Sequence, residues 1–357
     1  MSIKQVHYDI SPLLNKNAIF NIIYGEKSNG KSYQVKHLAI ENYINNKKRF
    51  ILLRRWREDI STLWIEQYFN DVDVKKLTKG KFSSIIVYRK VLYFANISEE
   101  GKAIKGDKIG YVMSLSTEQH MSSASFLDVN MIIFEEFMER GVYLAREPDR
   151  LMIFYNTIDR KRGETKLFMV GNTITRVNPY LYEWNLQSVI RTQKQGEIKE
   201  IIIHNEENDV KIAIEYCKSS GGKTLAIGNA KSMIDKGSWQ TNPQPHLPKS
   251  RKEYEKLYQI GFQYQGFRFI AELLRDKEDR KNIAWFIYPT NQFKEKIIIF
   301  SDEINISKYW QRNIYDVDIK NDNLKRLFST FRESNIFYSD DLCGTDFKQV
   351  IDFQIRR

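Results

Sequence analysis

AIFNIIYGEKSNGKS, residues 18–32, decides how the rest of the chain is read. Ala18 to Tyr24 is a short apolar run with strand character, and it stops at Gly25. Gly25 to Ser32 fits G-x-x-x-x-G-K-[ST], and Ser32 to Asn45 follows with Val35, Leu38, Ala39 and Tyr43 at helical spacing. Strand, glycine loop and helix in that order predict a phosphate cradle. The backbone N–H groups of Gly25, Glu26, Lys27, Ser28, Asn29 and Gly30 wrap the anion, and the helix entering through Lys31, Ser32 and Tyr33 adds its positive end. In such a loop Lys31 reaches the β- and γ-phosphates and the Ser32 hydroxyl ligates magnesium, so ATP and Mg2+ are the expected cofactors. Gly221-Gly222-Lys223-Thr224 also ends in G-K-[ST]. There Cys217 stands where the first loop glycine belongs and no apolar strand is read before it, so the segment is taken as a plain turn.

Outward from the loop, the first 200 residues alternate strands and helices, the pattern of an α/β sheet with crossover helices. Phe50–Leu53 and Val129–Phe134 read as buried strands, Ser84–Ile97 as a hairpin turning near Arg89, and Leu167–Val170 as a further strand. MIIFEE, residues 131–136, places two carboxylates at a buried strand end. Glu135 is assigned to the magnesium shell and Glu136 to activation of the attacking water. That pairing favours a hydrolytic motor over a nucleotide kinase. Glu135 stands where aspartate is usual, so the extra methylene demands a longer metal contact or a strand set farther back. Asn172, ending the next strand in Gly171-Asn172-Thr173, is the expected γ-phosphate sensor. Arg160 in Arg160-Lys161-Arg162 is the first candidate to complete a neighbouring subunit's site, followed by Arg162 and Arg146. Arg55, in Arg54-Arg55-Trp56, is the candidate to edge the base or sugar of the nucleotide, with surface stacking as the alternative.

The chain has 357 residues, 42% hydrophobic and 13% aromatic, enough for two domains. Two cysteines, Cys217 and Cys343, exclude a disulfide scaffold or a cysteine-rich zinc site. The N-terminus has no long apolar stretch and apolar runs elsewhere are a few residues, so no membrane partner is expected. The net charge of +11 favours a polyanion. Between Lys75 and Lys108 nine Lys or Arg face three acids, which places +6 in that segment. Glu99–Lys108 reads as flexible, and its Lys102, Lys105 and Lys108 are candidates for contact with DNA phosphates. Beyond residue 200 short helical stretches give way to Pro243, Pro245 and Pro248, then to strands such as Ile283–Tyr288 and Lys296–Phe300. The expected division is 1–204, a helical linker at 205–248, and a small α+β domain at 249–357.

Taken together, YGEKSNGKS, FILLRRW, IIIFEEF, TIDRKR and VGNTITRVNPY resemble the DNA-packaging ATPases of phi29-like short-tailed phages. The similarity covers most of the first 200 residues and, more weakly, the GFQYQGFRFIAEL segment. It implies a RecA-like P-loop ATPase of the additional-strand type, a helical linker and a C-terminal domain of RNase H-like, vestigial nuclease fold. It further implies a homomeric ring of five subunits that moves double-stranded DNA, docked on the portal of an empty capsid in the host cytoplasm and absent from the mature virion. A structural RNA is an additional candidate partner. The family's basic third loop residue is matched by Lys27, and its acidic pair and trans-acting arginine by Glu135, Glu136 and Arg160. Two departures stand out: Glu135 for aspartate, and Ser122 where the family can carry a lysine. Two other readings differ in class. A terminase that also cuts DNA needs converging carboxylates among Asp302, Glu303, Asp340, Asp341 and Asp346, which the sequence does not show. A nucleic-acid scaffold using ATP only structurally would show no DNA-stimulated turnover.

Overall fold

The computed structural model describes residues 8–121, 125–139, 143–204, 208–222, 225, 227–228, 231–293, 297–301, 310–311, 329–331 and 333–355. The chain divides into two compact units, Met1–Ile174 with Arg191–Ser238, and Thr175–Ile190 with Trp239–Arg357.

The first unit is built on a nine-stranded sheet. Its strands are β1 Phe20–Gly25, β2 Arg49–Arg54, β3 Ser84–Tyr88, β4 Val91–Ile97, β5 Ala103–Ser114, β6 Val129–Glu135, β7 Lys166–Asn172, β8 Ile198–His204 and β9 Asp209–Tyr216. They lie in the order β3-β4-β5-β2-β6-β7-β1-β9-β8. From β5 to β9 every neighbouring pair is parallel. That explains the apolar runs in β1, β2 and β6: strands covered on both faces bury consecutive side chains, as at residues 22–24, 50–53 and 131–134. Helix Lys31–Asn46 lays Val35, Ala39, Ile40 and Tyr43 on this sheet and joins one core with Phe50, Leu52, Ile133 and Val170. Gly25 pairs with Asn172, Glu135 with Val170 and Leu53 with Phe134. The carboxyl ends of β1, β2, β6 and β7 therefore share one edge, where open parallel sheets bind ligands.

Two sequence expectations change here. Residues 205–248 do not form a helical linker throughout: Asp209–Tyr216 is a strand hydrogen-bonded to β1, and Lys231–Lys236 is the helix found among the described residues of that stretch. A strand therefore does precede the second G-K-T segment. Val210, Ile212 and Ile214 alternate with Asp209, Lys211 and Glu215 as in a strand, and the segment pairs with β8 from Asp209 to Glu215 and with β1 from Ile212 to Tyr216. Likewise, Ala103–Lys108 is not a loop. It opens β5, and Ile97↔Ala103, Asn96↔Ile104 and Ala95↔Lys105 make it the third strand of a meander. The predicted hairpin turn holds: Arg89 and Lys90 both take the left-handed backbone, φ 49° and 63°, of a two-residue hairpin turn.

The second unit carries a six-stranded sheet, β14-β13-β10-β11-β12-β15. Its strands are β10 Tyr254–Tyr264, β11 Phe267–Asp276, β12 Ile283–Pro289, β13 Ile298–Ser301, β14 Trp310–Gln311 and β15 Asn335–Tyr338. β10, β11 and β12 form an antiparallel meander; β13 runs parallel to β10, β14 to β13, and β15 to β12. Helix Asp341–Ile355 packs Phe347 edge-on against Phe262 and Phe269, with Trp285 and Val350 in the same core. Among the described residues, no helix is long and apolar enough to cross a membrane.

Candidate active site

A cavity of about 490 Å³ opens at the carboxyl ends of β1, β6 and β7. Lys27, Ser28, Asn29, Gly30, Lys31, Ser32 and Tyr33 line one side, and Glu135, Glu136 and Asn172 another. Ser28 and Gly30 take positive φ, 63° and 98°, and turn the chain so that the helix begins at Lys31. Gly25 is required by close approach: a Cβ there would lie 3.1 Å from Cys217 Cβ, at the end of β9. Lys31 is buried, and its ammonium donates to the Glu26 carbonyl, to Asn29 Oδ1 at 3.1 Å and to Asn172 Oδ1 at 3.4 Å. Burial pushes its pKa below the usual lysine value, offset in part by nearby carboxylates. A nucleotide phosphate would supply the missing countercharge.

The acidic strand meets this loop through Glu135. Its Oε2 accepts from the Ser32 hydroxyl at 3.0 Å and its Oε1 from the Tyr68 hydroxyl at 2.6 Å. The extra methylene is thus absorbed by a carboxylate that spans two partners. Burial raises the Glu135 pKa, against the two hydroxyl donors that lower it, and Glu136 adds to the rise. A half-buried hydroxyl and a buried carboxylate side by side are hard oxygen ligands of the kind Mg2+ takes, so the residues fit the ion. Bound there, the ion supplies charge neutralisation for the phosphates and favours ionised Glu135. Glu136 differs from its neighbour. It is exposed at the cavity mouth, takes a left-handed backbone at φ 56°, and pairs with Arg54 at 2.7 Å. A non-glycine residue held there is strained, and such strain is commonly found where a side chain must be aimed. A solvated carboxylate one residue beyond the metal acid is placed to take a proton from water.

Several predicted residues lie elsewhere. Arg55 does not line the cavity. It is buried, with Nε on both oxygens of Glu147 at 2.8 and 2.9 Å, Nη1 on Glu139 at 2.6 Å and Nη2 on the Phe137 carbonyl at 2.7 Å. It is Arg54, over the Trp64 ring, that faces the cavity. Glu26 turns away from the phosphate space, its carboxylate accepting from Ser220 N at 2.9 Å and from the Ser219 and Ser220 hydroxyls at 2.5 Å. The segment set aside as a plain turn therefore begins by buttressing the loop; Lys223 and Thr224 lie outside the described residues. Arg160 caps the far end of helix Glu147–Asp159. Arg162 donates to the Leu127 and Val129 carbonyls, at the start of β6 and thus opposite the carboxylate end. Arg146 pairs with Asp149 at 2.7 Å outside the cavity. Ser122 lies outside the described residues. Lys105 and Lys108 sit on β5, and Lys102 immediately precedes it.

The sequence reading missed the wall formed by helix Thr62–Phe69, which supplies Trp64, Gln67 and Tyr68, and by Lys36, bound to Asp71 and to the Tyr68 carbonyl. Its only signal was an amphipathic helix rich in aromatics. Tyr68→Phe removes one hydroxyl from Glu135 and leaves its burial unchanged. It is expected to raise the magnesium concentration needed for half-maximal turnover several-fold, with nucleotide affinity in saturating magnesium kept, as for loss of a group orienting a metal ligand; magnesium titration of steady-state turnover checks this.

Strand order separates the classes of P-loop protein. Here β7 is inserted between the loop strand β1 and the acidic strand β6, and brings Asn172 to Lys31. With Glu135 ending β6 and Glu136 just beyond it, the first unit has a RecA-like ATPase fold. The chain belongs to the Podovirus DNA encapsidation protein (Gp16) family, whose description matches residues 2–272. It is 26% identical to the DNA packaging protein of Bacillus phage phi29 over 267 residues, 74% of either chain. It is also 26% identical to the DNA packaging protein of Bacillus phage PZA over 186 residues, 51% of either. Among solved structures, the bacteriophage Phi-29 viral genome packaging motor assembly contains a chain of similar fold, with TM-score 0.56, 18% identity and 98% of both chains covered.

Proposed function

We propose that this protein is the ATP-hydrolysing subunit of a motor that moves double-stranded DNA into a preformed capsid. The observation that carries the reading is the convergence of Lys31, Ser32, Glu135, Glu136 and Asn172 on one cavity in a chain of a DNA-encapsidation family. Subunits form a homomeric ring of five on the portal, in the host cytoplasm, and leave before the virion matures. A structural RNA is a further partner. Hydrolysis takes place at subunit interfaces. The position of Arg160 supports this: it ends the 13-residue helix Glu147–Asp159, about 20 Å long at 1.5 Å per residue, and the neighbouring Arg162 bonds carbonyls at the amino end of β6, opposite its carboxylates.

Turnover measured with and without double-stranded DNA, on a sample of known oligomeric state, tests the proposal. DNA stimulation of the ring supports it; turnover indifferent to DNA overturns it. Arg160→Ala should cut ring turnover by about 10³-fold, the usual weight of an arginine finger, and leave nucleotide binding by the monomer intact. An equal loss of binding would place Arg160 in its own site.

The second unit is read as an RNase H-like domain without nuclease activity. Support comes from its order β12-β11-β10-β13-β14, with three antiparallel strands followed by two parallel to β10. Asp340 caps the last helix at Cys343 N, Asp341 accepts from Gln244 N and pairs with His246, and Asp346 pairs with Arg176. Asp302 and Glu303 lie outside the described residues. The full chain with Mn2+ should leave plasmid DNA intact; cleavage abolished by Asp302→Ala would reverse this reading.

A further inference from the structure

A strand shows alternate residues to opposite faces, so residues three apart normally diverge. β5 breaks that rule twice. Tyr93 and Ala95, two apart on β4, pair with Lys108 and Lys105, three apart on β5; Val91 and Tyr93 likewise pair with Tyr111 and Lys108. Each shift is a β-bulge with one extra residue on β5. Together they return Lys105, Lys108 and Tyr111 to a single face. Tyr88, paired with Val91, lies on that face too.

The opposite face is the packed one. Ile85, Leu92, Phe94 and Ile109 are buried there. Gly106, in the first bulge, could not carry a Cβ without coming within 2.1 Å of the Phe82 ring. On the bulged face the side chains sort into cations held over rings. Lys105 Nζ is 3.1 Å from the Tyr88 ring centroid and 5.7 Å from that of Tyr93, Lys108 is 4.2 Å from that of Tyr111, and Arg89 is 5.3 Å from that of Tyr88. Tyr88 is 45% exposed, and Arg89, Lys90 and Lys105 are exposed beside it. The acid between the two lysines, Asp107, is engaged by Lys81 at 3.1 Å.

We infer that the bulged face of β3-β4-β5 is a docking surface for the sugar-phosphate backbone of double-stranded DNA. The inference rests on the DNA-moving function proposed above and locates where the DNA is held. Charge complementarity identifies a polyanion. The rings identify the kind: with ammonium groups over Tyr88 and Tyr111, those faces are not open to stack unpaired bases, which is how single strands are held. What the surface offers is a row of cations with restricted motion, able to grip phosphates without reading sequence. The tyrosines order the lysines before binding and so lower the entropy lost on contact.

Fluorescence anisotropy of a labelled duplex of arbitrary sequence, titrated with full-length protein over a range of salt, tests this. Lys105→Ala/Lys108→Ala should weaken binding roughly tenfold to a hundredfold at low salt and reduce the slope of log affinity against log salt by roughly two, one per lost phosphate contact. Tyr88→Leu keeps every charge and should also weaken binding, by a few-fold, because Lys105 is released. Nucleotide affinity should not change in either variant. If wild type binds no DNA, the packaging reading itself fails. If wild type binds and the double variant matches it in affinity and slope, the surface assignment alone fails. Tighter binding of a matched RNA duplex than of DNA would also overturn it, in favour of an RNA-docking face.

Discussion

Glu136→Gln is expected to bind ATP as the wild type does and to hydrolyse it about 10²- to 10⁴-fold more slowly, the range for losing a general base. The amide has the shape of the carboxylate and can keep the left-handed turn at φ 56°. It can still accept a hydrogen bond from Arg54, which the carboxylate meets at 2.7 Å. It cannot take a proton from water. The variant therefore separates aiming from chemistry. Glu135→Gln should behave differently, because Glu135 is buried against Ser32 and Tyr68, beside the hydroxyl with which it is proposed to hold the metal. Its defect should appear first as a higher magnesium requirement. Steady-state turnover of the assembled ring, paired with the affinity of a fluorescent nucleotide analogue, distinguishes them. Wild-type turnover in Glu136→Gln would remove Glu136 from the reaction.

That the two carboxylates and the loop could be found by reading residues follows from how the site is built. Each lies where a buried parallel strand ends, and such strands declare themselves as apolar runs bounded by glycine or charge. Phe134 followed by Glu135, and Tyr24 followed by Gly25, are legible because the residue type changes there abruptly, from apolar to acid or glycine. Tyr68 and Lys36 are not legible in this way. They reach the cavity from two helices, Lys36 as a buried lysine, and only tertiary packing brings Tyr68 to Glu135 across 67 positions of sequence. β5 escaped for a related reason. Its Lys, Gly and Asp have weak strand preference, and the ladder to β4 decides the matter. The bulges that gather Lys105, Lys108 and Tyr111 are a property of register, which depends on two strands at once.

Arg55 illustrates the converse error, a conspicuous basic residue beside the site that is not a ligand of the nucleotide. Its guanidinium is 3% exposed, and its Nε donates to both oxygens of Glu147, which is buried. Two further donors reach the Phe137 carbonyl at 2.7 Å and the Glu136 carbonyl at 3.3 Å, so the same group holds the turn that aims Glu136. Arg55→Ala removes one member of a buried pair and leaves the Glu147 charge without it. Breaking such a pair costs about 3–5 kcal/mol, a large part of the stability of a typical domain. The midpoint of urea unfolding should fall accordingly. Arg55→Lys should recover only part of the loss, because one ammonium cannot replace the planar guanidinium that reaches Glu147, Glu139 and the Phe137 carbonyl from three separate nitrogens. At temperatures where the variant remains folded, turnover should drop as the Glu136 turn loosens, with nucleotide affinity close to wild type. A variant of unchanged stability and weakened nucleotide binding would return Arg55 to the nucleotide site.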